Sequence, residues 1–141
     1  MEIRDERSID ASVDDVWRLT VDVERWPELT PTIRSVERLD DGPFGVGSRA
    51  RIVQPMQRPA VWTVTRFEPP HAFAWETTTM GITMVGTHDL VAEGDGCRSV
   101  LGLEVRGRGA GAFRALFGRR IQRAIETENR GFERAASRPT T

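Results

Sequence analysis

The sequence predicts an α+β domain: seven antiparallel strands in a curved sheet around a hollow, two short helices after the first strand, and a long C-terminal helix. Three observations predict it. Residues Ile9 to Pro31, IDASVDDVWRLTVDVERWPELTP, read as a strand end, a capped amphipathic helix and a very short second helix stopped by proline. The middle of the chain alternates extended runs with strong turn formers. Near the C-terminus, apolar residues from Phe113 to Phe132 recur at the three-, four- and seven-residue spacings of one helix face.

The first strand is predicted over 2–9. Ser12 then serves as an N-cap, with Asp15 three residues later in a variant of the capping box. Asp14 and Asp15 complement the positive end of the helix dipole. Val13, Val16, Trp17 and Thr20 fall on one helical face. Asp22 is placed to cap the second helix, Pro27 fits its first turn, and Pro31 disfavours helical geometry at Thr30.

Six further strands are predicted over 32–40, 47–54, 60–68, 71–79, 82–93 and 96–106. Gly42-Pro43 through Gly47, Pro55 to Pro59, Pro69-Pro70, Met80-Gly81 and Gly94-Asp95-Gly96 separate them. Such short connections join antiparallel neighbours, because parallel strands need long crossovers. The terminal helix, at about 25 residues and about 1.5 Å per residue, is long enough to lie across a whole sheet. Gly107, Gly109 and Gly111 precede it, a tight joint between strand and helix. No strand follows that helix, as a dinucleotide fold would require.

At 141 residues the chain is sized for one domain, expected over 1–136 with a disordered tail over 137–141. No run is long enough to span a bilayer and no charged-then-apolar leader is present, so a cytoplasmic location is expected. Cys97 is the single cysteine, so no intrachain disulfide forms, and its strand position suits a plain core residue. All 20 basic residues are arginine, and there is no tyrosine. Schiff-base lysine chemistry and phenolic proton transfer are therefore excluded.

The net charge of −1 is unevenly distributed. Residues 1–106 carry 12 arginines against 18 acids, a net of −6; residues 107–141 carry 8 against 3, a net of +5. The C-terminal arginines interleave with the apolar helical stripe and no exposed aromatics accompany them. A solvated helix face is expected, with no nucleic-acid partner and no stable membrane insertion.

Strand alternation sorts side chains onto two faces. His71, Phe73, Trp75 and Thr77 form one inward set, and Ile82, Met84, Gly86, His88 and Leu90 a second. Cys97, Ser99, Leu101, Leu103 and Val105 form a third, with Arg98 and Glu104 outside. Trp62 and Val64 face inward and carry Arg66 with them unless a bulge intervenes. His88 and Arg66 thus fall on an apolar face, where unpaired burial costs several kcal/mol. Each is either a polar anchor for a mainly apolar ligand or a structural residue, His88 satisfied in the core and Arg66 reaching out at the rim. His71 follows Pro70 and reads as a turn residue. Two histidines and one cysteine, with no close pair, do not make a tetrahedral metal site, and no Gly-x-Ser-x-Gly elbow is present.

Three passages resemble a known superfamily: Ile9-Asp10-Ala11-Ser12 to Val16-Trp17 with Asp22, Trp26-Pro27 and Pro31; Phe67-Glu68-Pro69-Pro70 to Trp75; and His88 to Gly94-Asp95-Gly96 with the terminal helix. The chain is similar to the helix-grip superfamily of steroidogenic-acute-regulatory-related lipid-transfer domains, pollen-allergen-like proteins and polyketide cyclase/dehydrase-like proteins. Within it, the chain looks most like the small bacterial polyketide-cyclase-like branch. The resemblance implies a seven-stranded sheet wrapped around the C-terminal helix, with an apolar ligand tunnel between them. It also implies lipid-, sterol-, polyketide- or hormone-like ligands; no cofactor is expected.

The resulting expectation is a binding protein, monomer or homodimer, for a small hydrophobic or amphipathic molecule. Trp62 of the fourth strand, Phe73 and Trp75 of the fifth, Met84 and Leu90 of the sixth, and Leu101 and Leu103 of the seventh would line the site. Phe113, Leu116 and Phe117 of the terminal helix would complete it, with His88 and Arg66 holding the ligand's polar end. The helical pair at Ile9–Pro31 would form one jaw, Trp17 and Trp26 packing on the sheet. An alternative is a cyclase or dehydratase with His88 as general acid/base and Arg66 stabilising an enolate. A third is a regulatory module meeting an acidic partner through the basic helix.

Overall fold

Seven runs of alternating apolar and polar residues pair into one curved antiparallel sheet in the order β1-β7-β6-β5-β4-β3-β2. The computed structural model describes residues 2–55 and 57–137. The strands are β1 (Glu2–Ile9), β2 (Ser35–Arg38), β3 (Arg49–Val53), β4 (Ala60–Glu68), β5 (Ala72–Thr79), β6 (Ile82–Glu93) and β7 (Gly96–Gly107). Most bounds match the turn chemistry, but β2 and β3 are shorter than expected. At one end of this pair the Asp40 carboxylate takes the Arg49 N–H at 2.8 Å, in place of a ladder partner.

Helix α1 (Val13–Val21) starts as its sequence dictates: Ser12 Oγ accepts the Asp15 N–H at 3.1 Å, and Val16, Trp17 and Thr20 turn into the core. A single 3-10 turn, Val23–Arg25, leads into α2 (Trp26–Leu29). Asp22 occupies the N-cap position of that turn, but its side chain does not cap it. Its carboxylate lies 3.9 Å from the Arg25 guanidinium instead. Pro27 sits in the first turn of α2, and Thr30 closes it in extended geometry (φ −147°, ψ 135°), as Pro31 requires.

Gly107 and Gly109, at φ +108° and +83°, turn the chain from β7 into α3 (Ala110–Ala136). A Cβ at Gly107 would stand 2.2 Å from the Gly81 carbonyl oxygen, so this joint is packed against the β5–β6 turn. The C-terminal half of α3 is firmly held over β1 and β7. Asn129, wholly buried, donates through Nδ2 to the Ser99 carbonyl (3.0 Å) and to Asp5 Oδ2 (2.9 Å). Gln122 Nε2 donates to the Arg4 carbonyl at 2.9 Å, and Arg7 meets Glu133 at 3.0 Å.

Cys97 is buried on the inner face of β7, where burial raises its thiol above the ordinary range. Ser137 ends α3, its N–H on the Glu133 carbonyl. The remainder of the expected disordered tail, 138–141, lies outside the described residues. Among the described residues no helix is long and apolar enough to cross a membrane.

Candidate functional site

The inner face of the sheet has two ends with different characters. At the end beneath α1 and α2, aromatic rings fill the space. Trp26 contacts Phe73, Trp75, His88 and Phe132 with ring centroids 5.1–6.4 Å apart. Trp17 packs on Phe67 and Phe73, and Phe44 packs edge-on against Phe67, Phe73 and Trp75. Trp26 also donates its indole N–H to the Leu19 carbonyl at 3.3 Å, which ties the short helix to α1. Both tryptophans of the helical pair therefore pack against the sheet.

His88 belongs to this filled end. Its ring is stacked on Phe73 (4.6 Å, 6° between planes), and Trp26 and Phe132 lie against it. Nδ1 is buried with no hydrogen-bond partner among the described residues. Burial disfavours the imidazolium and lowers the pKa to about 3. His88 is thus a neutral ring in an aromatic stack. Leu90 and Leu101 are buried at the same level.

Arg66 does not face inward as strict strand parity predicts. Val64 pairs with Trp75 and Arg66 with Ala74, so Thr65 is an extra residue in β4 and the phase reverses there. The bulge sends Phe67 inward against Trp17 and turns Arg66 to the outer face. There its side chain is 54% exposed, ion-paired with Glu68 and 3.9 Å from Asp89. Burial raises the Asp89 carboxyl, and the Arg66 charge pulls it back. These residues, with His71 at the turn, border an open recess of about 440 Å³ on the outer face. His88 and Arg66 consequently stand on opposite faces of the sheet and cannot act on one ligand.

The other end of the inner face mixes buried and partly accessible side chains. Trp62 and Trp75 lie over Gly86, whose absent side chain leaves room for them: a Cβ there would stand 3.3 Å from Trp75. Beyond them Met84, Leu103 and Ile121 pack against the core yet keep accessible surface. The first turns of α3 depart from expectation. Leu116 is 77% exposed and Phe117 40%, while Phe113 is half-buried against Phe117. Leu116 and Phe117 therefore do not line an enclosed site. Sequence spacing found the stripe, but α3 rests on the sheet only from about Ile121 onward, where Gln122, Ile125 and Asn129 engage β1 and β7. Met80, 95% exposed at the β5–β6 turn, stands at the same end of the molecule as these turns.

One polar group on this inner surface was absent from the sequence expectations. Glu128 lies on the α3 stripe between Ile121 and Ile125 on one side and Phe132 on the other. It is partly buried. Thr32 Oγ1 donates to Glu128 Oε1 at 3.1 Å, and the Thr30 and Thr32 hydroxyls lie 2.8 Å apart. Desolvation raises the Glu128 carboxyl to about 7, against the opposing effect of the Thr32 hydrogen bond. The signal was legible: a carboxylate at the i+3/i+4 spacing of a core-facing stripe is anomalous. A second recess, about 280 Å³, runs outside this interior between α1, α2 and the end of α3.

The family sequence model described as "Polyketide cyclase / dehydrase and lipid transport" matches residues 1–137. No curated protein sequence matches the chain. Among solved structures, the Thermus thermophilus protein TTHA0849 is similar at 26% identity and a TM-score of 0.77, covering 98% of this chain and 100% of that one. Norcoclaurine synthase from Thalictrum flavum, solved with dopamine and hydroxybenzaldehyde, aligns at 17% identity and a TM-score of 0.76 over 99% of this chain and 89% of its own. The di-domain ARO/CYC StfQ from the steffimycin biosynthetic pathway aligns at 11% identity and a TM-score of 0.76, over 96% of this chain and 50% of its own. The last two likenesses concern the fold.

Proposed function

This chain belongs to the polyketide cyclase/dehydrase and lipid-transport family, and from that premise we propose that it binds a small hydrophobic or amphipathic molecule between its sheet and α3. The observation that carries the reading is the asymmetry of the inner face. Aromatic rings close one end. Met84, Leu103 and Ile121 leave accessible apolar surface at the other, beside the exposed first turns of α3. Apolar surface of this kind, bounded by one closed and one open end, suits a mainly apolar ligand that enters from the open end. Phe113, Leu116, Phe117 and Met80 stand at the entrance in this reading.

Binding is favoured over a cyclase or dehydratase that uses His88 and Arg66. Catalysis by that pair needs both groups within reach of one substrate. A neutral histidine walled by Phe73, Trp26 and Phe132 cannot meet an arginine on the outer face. Native mass spectrometry of the purified protein tests the binding reading. The expected result is a small-molecule adduct, either co-purified or formed with added naphthol. Absence of any adduct after incubation with excess probe would overturn it.

A further inference from the structure

We propose that Glu128, joined to Thr32 and Thr30, is the polar anchor of the inner space and takes the neutral hydroxyl end of an otherwise apolar ligand. The inference rests on the binding reading above and assigns the polar contact within that site. Glu128 lies on the same α3 stripe as Ile121, seven residues away, or about 10 Å along the helix. It therefore stands between the accessible apolar end and the ring-filled end, where the head of a molecule lying along α3 would come to rest.

The local chemistry selects a hydroxyl. Thr32 already occupies one carboxyl oxygen, Oε1, and its own hydroxyl is shared with Thr30. The other oxygen, Oε2, has no hydrogen-bond partner among the described residues and is left for a ligand. A carboxyl that titrates near neutrality exists as both acid and carboxylate, so it can donate to or accept from an incoming hydroxyl. A permanently anionic head would face a carboxylate on half the molecules, which disfavours it. A purely apolar end would leave an enclosed carboxyl without a second partner, which costs affinity.

Two neutral probes of similar size isolate this contact: naphthol, which carries the hydroxyl, and methylnaphthalene, which does not. Wild-type protein should bind naphthol more tightly by about two- to tenfold, the worth of one hydrogen bond. In Glu128→Met the preference should vanish while methylnaphthalene binding persists, which also shows that the variant is folded. In the wild type, naphthol but not methylnaphthalene should shift the carbon NMR resonance of the Glu128 carboxyl. An unchanged naphthol preference in Glu128→Met, or an unmoved Glu128 resonance at saturating naphthol, would overturn the anchor and leave the binding reading standing. Failure of the wild type to bind either probe would overturn both.

Discussion

His88 stacks face to face on Phe73, with ring centroids 4.6 Å apart and planes within 6° of parallel. The pair belongs to the ring-filled end of the inner face. Toward Trp26 and Phe132 the core is dominated by aromatic rings. The side toward Met84 and Leu103 retains accessible surface.

The buried histidine makes stability sensitive to acid. Its folded pKa of about 3 lies below the ordinary value of 6.5. The unfolded chain therefore binds the proton more readily, and the contribution present above pH 6.5 is lost as pH falls toward 3. His88→Phe should remove most of that loss, on the order of a few kcal/mol. Urea denaturation of both proteins at neutral and at acid pH measures it. Equal acid losses in the two would show that His88 is accessible to water.

Glu128 acts at the opposite end of the pH scale. Its folded pKa of about 7 lies above the ordinary 4.5, so its contribution is present below pH 4.5 and is lost as pH rises through 7. Glu128→Gln keeps the shape and removes the charge. The variant should gain about 1–3 kcal/mol over wild type above pH 7.5 and little near pH 5. Thermal melts across that range would register the difference, and a constant offset would contradict it.

Gly131 should not tolerate alanine, although α3 is a helix. In an exposed helix interior the exchange gains up to about 1 kcal/mol. Here the new Cβ would stand 2.2 Å from the Leu29 carbonyl oxygen, a backbone atom that cannot swing aside. Displacing α2 from α3 should cost about 1–3 kcal/mol and reverse the sign. A raised melting temperature in Gly131→Ala would show that the two helices are not in contact.

Arg66→Ala should change little. Its partners are surface carboxylates, and exposed ion pairs contribute about 0–1 kcal/mol. Affinity for naphthol, measured by fluorescence titration, should match wild type. A large loss would place Arg66 at the site and contradict the bulge at Thr65.

The elements that depend on local chemistry were legible in the sequence. Ser12 caps α1, Pro27 and Pro31 bound α2, and Gly107 and Gly109 turn the chain into α3. Inner-face parity held for Phe73 and Trp75, for His88 and Leu90, and for Leu101, because period two is enforced wherever one face is buried. It failed after Val64, because a bulge is a property of pairing with β5 and leaves no mark in β4 alone. The α3 stripe gave the helix, yet not which half of it meets the sheet. That is set by where Asn129 and Gln122 find partners on β1 and β7. Glu128 was visible as a carboxylate out of pattern, and its role needed Thr32, 96 residues away.

A ligand held between the sheet and α3 should lie at the Met84–Leu103–Ile121 end of the inner face. Methyl-detected NMR during titration with methylnaphthalene tests it most directly. Saturable shifts should concentrate on the methyl groups of Met84, Leu103 and Ile121, with Leu90 and Val16 at the filled end unmoved. Shifts confined to Val61 and Val91 on the exterior, or none at saturating probe, would contradict it.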